Sequence, residues 1–237
     1  MNHSNQDGKP SAESEEGRPL IKEIAHQSRT HPTQSGARVS QLVSLPRPAN
    51  PPKLTSRHIN NLRVVTTRFE LLTLLPSNGI VAEVGVGEGD YSEKILRLSS
   101  PKRLHLIDAW SSERFGEDKL NKVQSRFSAE IECGQVVINR GVSWDELEKF
   151  PDAYFDWVYL DTSHKYEDST KELEISRLKV KPDGLIGGHD YTTGNIKKPL
   201  KYGVIQAVNE FCLRYDWEMI YLTHEPSRYL TYVIRRL

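Results

Sequence analysis

Two short segments of the chain carry side chains suited to proton chemistry. Asp161 and His164 stand three positions apart, and His189 and Asp190 are adjacent. A histidine has an ordinary pKa of about 6.5, so it can accept a proton near neutral pH, and a nearby carboxylate can orient it. The pattern predicts a reacting centre with His164 as the first candidate base, His189 as the second, and Asp161 beside them. Each histidine could instead only close a loop at the end of a strand.

A glycine-rich segment indicates a second site. Residues 81–90, VAEVGVGEGD, place Gly85, Gly87 and Gly89 after an apolar run and before a predicted helix. Glycine lets the backbone turn tightly and approach a ligand, and the helix that follows offers free N–H groups at its first turn. Such a loop suits a nucleotide-like cofactor at the carboxyl ends of the strands. A tight turn without a ligand is the alternative.

The glycine spacing and the acids around it discriminate between cofactors. The dinucleotide fingerprint is G-x-G-x-x-G, whereas the third glycine here comes one residue early. Glu83 and Glu88 would disfavour a pyrophosphate, and a cofactor with a cationic aminoacyl tail would tolerate them. Asp108 ends the next predicted strand, where a carboxylate can accept both ribose hydroxyls. S-adenosylmethionine is therefore favoured over a nicotinamide dinucleotide, with Glu83, the three glycines and Asp108 as predicted cofactor-binding residues.

These segments lie where predicted strands alternate with helices. The fold class is α/β: a Rossmann-like doubly wound sheet of about seven strands, mostly parallel, with an antiparallel strand from a terminal hairpin. Both sites fall at strand ends, in the crevice where open α/β sheets bind ligands. The predicted strands are 79–85, 103–108, 135–139, 155–161, 184–188, 218–223 and 229–234, and the predicted helices are 59–74, 91–99, about 117–129, 167–178 and 202–215.

The chain resembles class I S-adenosylmethionine-dependent methyltransferases. The resemblance rests on the glycine loop, Leu106-Ile-Asp108, residues 156–161 and Lys181-Pro-Asp-Gly184, and it covers about residues 60–237. The closer likeness is to the group with an L-D-x-x-H-x-Y segment, here residues 160–166, and an H-D-Y segment, here residues 189–191. Many relatives methylate hydroxyls of small molecules or sugars, so a small-molecule acceptor is expected.

The resemblance also implies roles for residues at the strand ends. Asp161 would lie beside the cofactor's sulfonium, and the adenine pocket would be edged by residues 140–143, through backbone N–H groups and Ser143. Methyl transfer is an in-line displacement, so the enzyme must align a hydroxyl and remove its proton. Metal-dependent relatives use an acid at the position of Asp161 and an acid–amide pair where His189 and Asp190 stand. One interpretation is that Asp161 and Asp190 hold Mg²⁺. Mg²⁺ prefers oxygen ligands, so His189 weakens that interpretation. Otherwise the two acids orient the histidines and the substrate.

Composition bounds the remaining possibilities. The chain has 237 residues with 32 basic and 32 acidic side chains, a balance that calls for neither nucleic acid nor a membrane surface as a partner. The two cysteines, Cys133 and Cys212, cannot form a disulfide scaffold or a CxxC zinc site, and a cytoplasmic protein is expected. A homodimer is compatible with the sequence but is not required by it.

The sequence predicts two parts of the chain and leaves two alternative functions to consider. Residues 1–54 are polar or rich in proline and are expected to be disordered or loosely attached, whereas residues 55–237 form the predicted cofactor-binding domain. A nicotinamide-dependent oxidoreductase is disfavoured by the glycine spacing. A cofactor-binding module without catalysis is disfavoured by the acid–histidine set.

Overall fold

A computed structural model of the chain describes residues 50–195 and 199–237. Residues 1–49 lie outside this range, so the loosely attached segment predicted over residues 1–54 stays a prediction. Its last residues contact the domain: the Pro52 carbonyl accepts a 2.7 Å hydrogen bond from Asn209 Nδ2, and Leu54 packs against the core. The described chain therefore already packs on the domain just before residue 55.

An eight-stranded sheet organises the described chain, in the order β1-β7-β8-β6-β5-β2-β3-β4. Every pairing is parallel except those of β8, which is antiparallel to both β6 and β7. The predicted mostly parallel Rossmann-like sheet with an antiparallel hairpin strand is confirmed, with one strand more than the seven expected. The strands are β1 (Arg63–Val65), β2 (Ile80–Val84), β3 (Arg103–Asp108), β4 (Val136–Arg140), β5 (Phe155–Leu160), β6 (Val180–Gly188), β7 (Trp217–Thr223) and β8 (Tyr232–Arg236).

Apolar side chains leave both faces of this sheet and are covered by helices. Val84 and Val158 enter one buried cluster, whereas Val81 and Trp157 enter a second cluster on the opposite face, as the alternation of side chains along a strand requires. The helices are α1 (Arg68–Leu72), α2 (Asp90–Ser99), α3 (Glu117–Arg126), α4 (Ser128–Glu132), α5 (Ser143–Glu148), α6 (Tyr166–Lys179) and α7 (Val204–Tyr215). Within residues 50–195 and 199–237, no helix has the length and apolar character needed to cross a membrane.

The prediction of a single helix over residues 59–74 is wrong. This segment forms the edge strand β1, which pairs in parallel with β7, and then the short helix α1. The β-branched residues Val64 and Val65 favour a strand. Thr67 then caps α1, because its side chain accepts a 3.1 Å hydrogen bond from the Glu70 N–H, and such a cap marks a helix start. The apolar spacing that suggested one long helix thus belongs to two shorter elements.

The order of the strands decides which loops meet. β5 lies between β2 and β6, and all three are parallel, so their carboxyl ends share one edge of the sheet. The glycine loop follows β2, Asp161 follows β5, and His189 and Asp190 follow β6. The two sites predicted from the sequence therefore occupy neighbouring positions on one crevice.

Candidate active site

The glycine loop turns from β2 into α2 through left-handed backbone conformations. Gly85, Gly87 and Gly89 have φ angles of 90°, 60° and 81°, which residues with a side chain rarely adopt. A Cβ at Gly85 would lie 2.0 Å from the carbonyl oxygen of Asp161, and one at Gly89 would lie 2.8 Å from the Phe127 ring. These two positions therefore require glycine, and the first brings the loop directly against the reacting centre.

Asp108, at the end of β3, holds the glycine loop in place. Its Oδ2 accepts hydrogen bonds from the backbone N–H groups of Val86 and Gly87, at 2.8 and 3.0 Å. Its Oδ1 accepts from the Trp110 N–H at 2.9 Å, and Trp110 Nε1 donates to the Gly87 carbonyl at 3.0 Å. A carboxylate oxygen has a second lone pair, so Asp108 can still accept from a ribose hydroxyl while it orders the loop.

Glu83 lies in the core of the sheet rather than in the open crevice. Its side chain is 1% exposed and accepts a hydrogen bond from Ser92 Oγ on α2. Burial raises the pKa of Glu83 to about 8, so the carboxyl group is mostly protonated at neutral pH. A direct contact of Glu83 with a cofactor stays a prediction, and its nearest structural role is to join β2 to α2.

Glu88, within the glycine loop, is neutralised in a different way. Its carboxylate pairs with Lys119 and, at 3.4 Å, with Lys122, both on α3, and the hydrogen bond from Lys119 lowers the pKa of Glu88. Glu83 and Glu88 together therefore do not present the negative charge that was expected to repel a pyrophosphate. Glycine spacing remains the feature that disfavours a dinucleotide.

Ser143, the predicted edge of an adenine pocket, is the first residue of α5. Its Oγ donates a 2.5 Å hydrogen bond to Glu172 on α6. The Gly141 N–H donates a 3.0 Å hydrogen bond to the Asp108 carbonyl. The Ser143 hydroxyl and one backbone donor of this edge are thus engaged within the protein. A contact between this edge and adenine would use the remaining backbone groups of residues 142 and 143.

The acid–histidine set converges as the strand order requires. Asp190 Oδ2 lies 3.1 Å from His164 Nε2 and 3.3 Å from His189 Nδ1, so one carboxylate oxygen serves both imidazoles. Asp161 lies 4.0 Å from His164 and 3.8 Å from His189. The structure therefore brings all four predicted residues into one cluster, with Asp190 at its centre.

Two members of this cluster hold unusual backbone conformations. His164 and Asp190 have φ angles of 58° and 57°, and non-glycine residues in this region cluster at functional sites because the strain must be held by surrounding structure. The His164 carbonyl accepts a 2.8 Å hydrogen bond from the Gly203 N–H, and the Asp190 carbonyl accepts from Thr192 at 2.6 Å. The neighbouring loops thus fix where both side chains point.

Electrostatics distinguish the members of the cluster. Burial alone would lower the pKa of His189, but its hydrogen bond with Asp190 and the negative charges of Asp161 and Asp190 outweigh burial and raise that pKa. Burial raises the pKa of Asp161, although both histidines oppose this effect. A histidine favoured in its protonated form is better placed to orient or donate than to act as a free base, so His164 remains the first candidate base.

Three further residues at the crevice were missed in the sequence. Arg68, on α1, places its guanidinium 3.9 Å from Asp161 Oδ2 and 4.8 Å from the Tyr91 ring centre.

Glu172 is buried, and burial raises its pKa to about 7. Thr162 Oγ1 donates a 2.9 Å hydrogen bond to Glu172. Glu172 and Thr162 line, with both histidines, a small cavity of about 10 Å³. Residue spacing carried no signal for Arg68 or Glu172, since tertiary packing alone brings α1 and α6 to the crevice.

The cluster also has the donor set of a cation site. Asp161, His164 and Asp190 each offer one ligand atom, and these atoms lie within 4.8 Å of one another. With His189 adjacent, the set mixes carboxylate oxygen with imidazole nitrogen. Mg²⁺ prefers oxygen ligands, whereas imidazole suits zinc, iron, nickel or copper. The residues present thus fit a transition metal better than Mg²⁺.

Comparisons with known proteins agree with this geometry. Residues 82–191, just under half of the chain, match a family model described as a methyltransferase domain. The fold is shared with a SAM-dependent methyltransferase from Aquifex aeolicus, at a TM-score of 0.51 and 15% identity over 84% of this chain and 96% of that chain. It is shared with a Streptococcus mutans protein solved in complex with SAH, at a TM-score of 0.52 and 12% identity over 72% and 96%.

A third structure, of the pyocyanin biosynthetic protein PhzM, matches at a TM-score of 0.55 and 16% identity over 71% of this chain. The match spans 54% of that protein, so the chain corresponds to only about half of its length. No curated protein matches the chain in sequence. The chain therefore has the Rossmann-like α/β fold of S-adenosylmethionine-dependent methyltransferases, with a methyltransferase-domain match over the segment that carries its glycine loop and its acid–histidine cluster.

Proposed function

We propose that this protein is an S-adenosylmethionine-dependent methyltransferase that acts on a hydroxyl group of a small molecule or sugar. One observation carries the proposal: the ordered glycine loop lies against the backbone of Asp161, the first residue of the acid–histidine cluster. The loop would hold the cofactor next to groups that can accept or donate a proton. This proximity is what an in-line transfer to a hydroxyl requires.

The residues of the cluster divide the chemical tasks. S-adenosylmethionine, when bound, supplies an electrophilic methyl group. His164 Nε2 lies 3.1 Å from Asp190 Oδ2, so a proton on Nε2 would face that carboxylate and leave Nδ1 of His164 as the nitrogen able to take the hydroxyl proton. The same oxygen accepts from His189 Nδ1 at 3.3 Å, so Asp190 fixes the orientation of both rings. Asp161 and His189 then orient the acceptor hydroxyl beside the cofactor.

A metal-assisted version of the same reaction is the second candidate. It is favoured by the three ligand atoms of Asp161, His164 and Asp190 that lie within 4.8 Å of one another. In that version the acids and His164 would hold a divalent cation, which would bind the acceptor oxygen and make its proton easier to lose. The small-molecule acceptor, a homodimer and the absence of a nucleic-acid partner remain predictions in both versions.

Binding comes first in the test of the proposal. Calorimetry with S-adenosylhomocysteine and with NAD⁺ should show binding of the first ligand alone. Binding of NAD⁺ in its place would contradict the proposal in favour of an oxidoreductase. Turnover of S-adenosylmethionine should then be screened across hydroxylated metabolites, and cofactor binding without turnover of any acceptor would favour a module that lacks catalysis.

The base is tested with the active acceptor. His164→Ala should bind S-adenosylhomocysteine as the unsubstituted protein does but lose about 10²–10⁴-fold in kcat, the usual cost of a missing general base. His224→Ala is a matched control, because His224 is exposed after β7, and it should keep full activity. Unchanged kcat in His164→Ala would refute the assignment.

The metal version predicts a different pattern. A chelator should abolish activity, Zn²⁺ or Fe²⁺ should restore it better than Mg²⁺, and Asp161→Ala and Asp190→Ala should be the severe lesions. Activity that is indifferent to the chelator would exclude this version.

A further inference from the structure

Arg68 enters the crevice from an element outside the glycine loop and the acid–histidine cluster. It is the first residue of α1, and its backbone N–H donates a 2.7 Å hydrogen bond to Glu225 Oε1, in the loop that follows β7. Thr67 caps the same helix. Two backbone anchors therefore fix where the Arg68 side chain starts.

The guanidinium of Arg68 is held beside the cofactor loop. It lies over the ring of Tyr91, with 4.8 Å to the ring centre, and Tyr91 is the second residue of α2, directly after the glycine loop. The Tyr91 ring in turn packs on Tyr159 of β5, with 4.5 Å between ring centres. A cation stacked on an aromatic face keeps its orientation while its N–H groups remain available at the rim.

The charge of Arg68 is only partly used by the protein. Its Nη1 lies 3.9 Å from Asp161 Oδ2, which is beyond hydrogen-bond distance, and the side chain is 27% exposed. A guanidinium has five N–H donors, so Asp161 and the nearby Tyr159 hydroxyl leave donors for a ligand. The nearby cations of α3 are paired with acids of the loop or of α2: Lys119 and Lys122 with Glu88, and Arg126 with Asp90.

We propose that Arg68 binds the carboxylate of the cofactor's aminoacyl end, an inference that rests on the proposed function. The aminoacyl group carries one ammonium and one carboxylate. The Asp161 carboxylate suits the ammonium, whereas the carboxylate of the ligand needs a cation nearby. Arg68 meets that need, and its planar fork can grip a carboxylate through two parallel hydrogen bonds.

The test compares two ligands that differ in the aminoacyl group. S-adenosylhomocysteine carries the carboxylate, whereas 5′-methylthioadenosine has the same nucleoside and sulfur without the aminoacyl end. In calorimetry, Arg68→Met should weaken S-adenosylhomocysteine about 10–100-fold, as expected for loss of a charge-assisted hydrogen bond, and should leave methylthioadenosine within threefold. Arg68→Lys, which keeps the charge and loses the fork, should fall between the two.

Arg63→Met is the matched control. Arg63 lies on β1 and is likewise over an aromatic ring, at 5.7 Å from the centre of Tyr221, but it is exposed on the edge strand. It should bind both ligands as the unsubstituted protein does. If Arg68→Met lowers the melting temperature strongly, Arg68→Lys measured against decarboxylated S-adenosylhomocysteine gives the same comparison in a folded protein.

The outcomes separate this inference from the proposed function. If the unsubstituted protein binds neither ligand, the proposed function fails and the inference fails with it. If it binds S-adenosylhomocysteine and Arg68→Met binds it equally well, the inference is overturned while the function stands. Equal weakening of both ligands also overturns the inference, because Arg68 would then shape the site as a whole.

Discussion

Replacing Glu83 by glutamine should make the protein more stable, and increasingly so as the pH rises. Glu83 has a pKa of about 8 in the folded chain, against an ordinary value of 4.5, and its side chain is 1% exposed. Between pH 4.5 and pH 8, Glu83 keeps its proton in the folded chain but has lost it in the unfolded chain. The free energy of unfolding therefore falls as the pH rises. Glutamine keeps an acceptor for Ser92 but does not titrate.

The size of the effect follows from the two pKa values. Each unit of pKa difference between the folded and unfolded states is worth about 1.4 kcal/mol. The burial of Glu83 therefore costs the unsubstituted protein about 4 kcal/mol at pH 8 and only about 1 kcal/mol at pH 5. The advantage of Glu83→Gln should grow by about 3 kcal/mol over this interval.

Urea unfolding at several pH values from 5 to 8 measures this difference directly. Glu148→Gln is the matched control, because Glu148 is an exposed glutamate at the end of α5, and its curve should follow that of the unsubstituted protein. A constant difference between Glu83→Gln and the unsubstituted protein across the pH range would refute the reasoning. It would mean that Glu83 is ionised in the folded state and has a partner other than Ser92.

Two further predictions concern the cofactor loop. Asp108→Ala should weaken S-adenosylhomocysteine by about 1.5–3 kcal/mol, because it removes charge-assisted acceptors that both order the loop and can meet the ribose; unchanged affinity in calorimetry would contradict this role. Gly85→Ala should lower the melting temperature far more than Gly134→Ala. Both glycines have positive φ, but a Cβ at Gly85 would lie 2.0 Å from the Asp161 carbonyl, whereas one at Gly134 would meet no atom within 4 Å. Gly134→Ala should therefore cost only the conformational strain of about 1–2 kcal/mol, and equal losses in the two variants would refute the contact.

The sequence predicted what depends on local pattern. The glycine loop, Asp108 and the acid–histidine segments follow apolar strands, and strand ends meet at one edge of a parallel sheet, so their convergence could be inferred. Strand β1 was missed because its three residues are extended only through pairing with β7. Short strands made by tertiary pairing carry no periodicity of their own.

The sequence also could not predict which acidic side chains near the glycine loop carry a negative charge. Glu83 and Glu88 read as two negative charges at the loop, yet burial raises the pKa of Glu83 to about 8 and Lys119 pairs with Glu88. A sequence gives the type of an ionisable group, but its charge depends on burial and partners that only packing creates. Arg68 and Glu172 were missed for a related reason, since each reaches the crevice through the packing of a helix rather than from the end of a strand.

The tight seam between Gly85 and Asp161 limits how this protein can be recombined with others of its fold. The Asp161 N–H donates to the Val84 carbonyl at 2.7 Å, and a side chain at position 85 would collide with the Asp161 carbonyl. A chimera with its crossover between residues 90 and 155 would take the two sides of this seam from different parents. Crossovers before residue 80 or after residue 190 keep it intact, so the two loops should be inherited as one block even though some 75 residues of chain separate them.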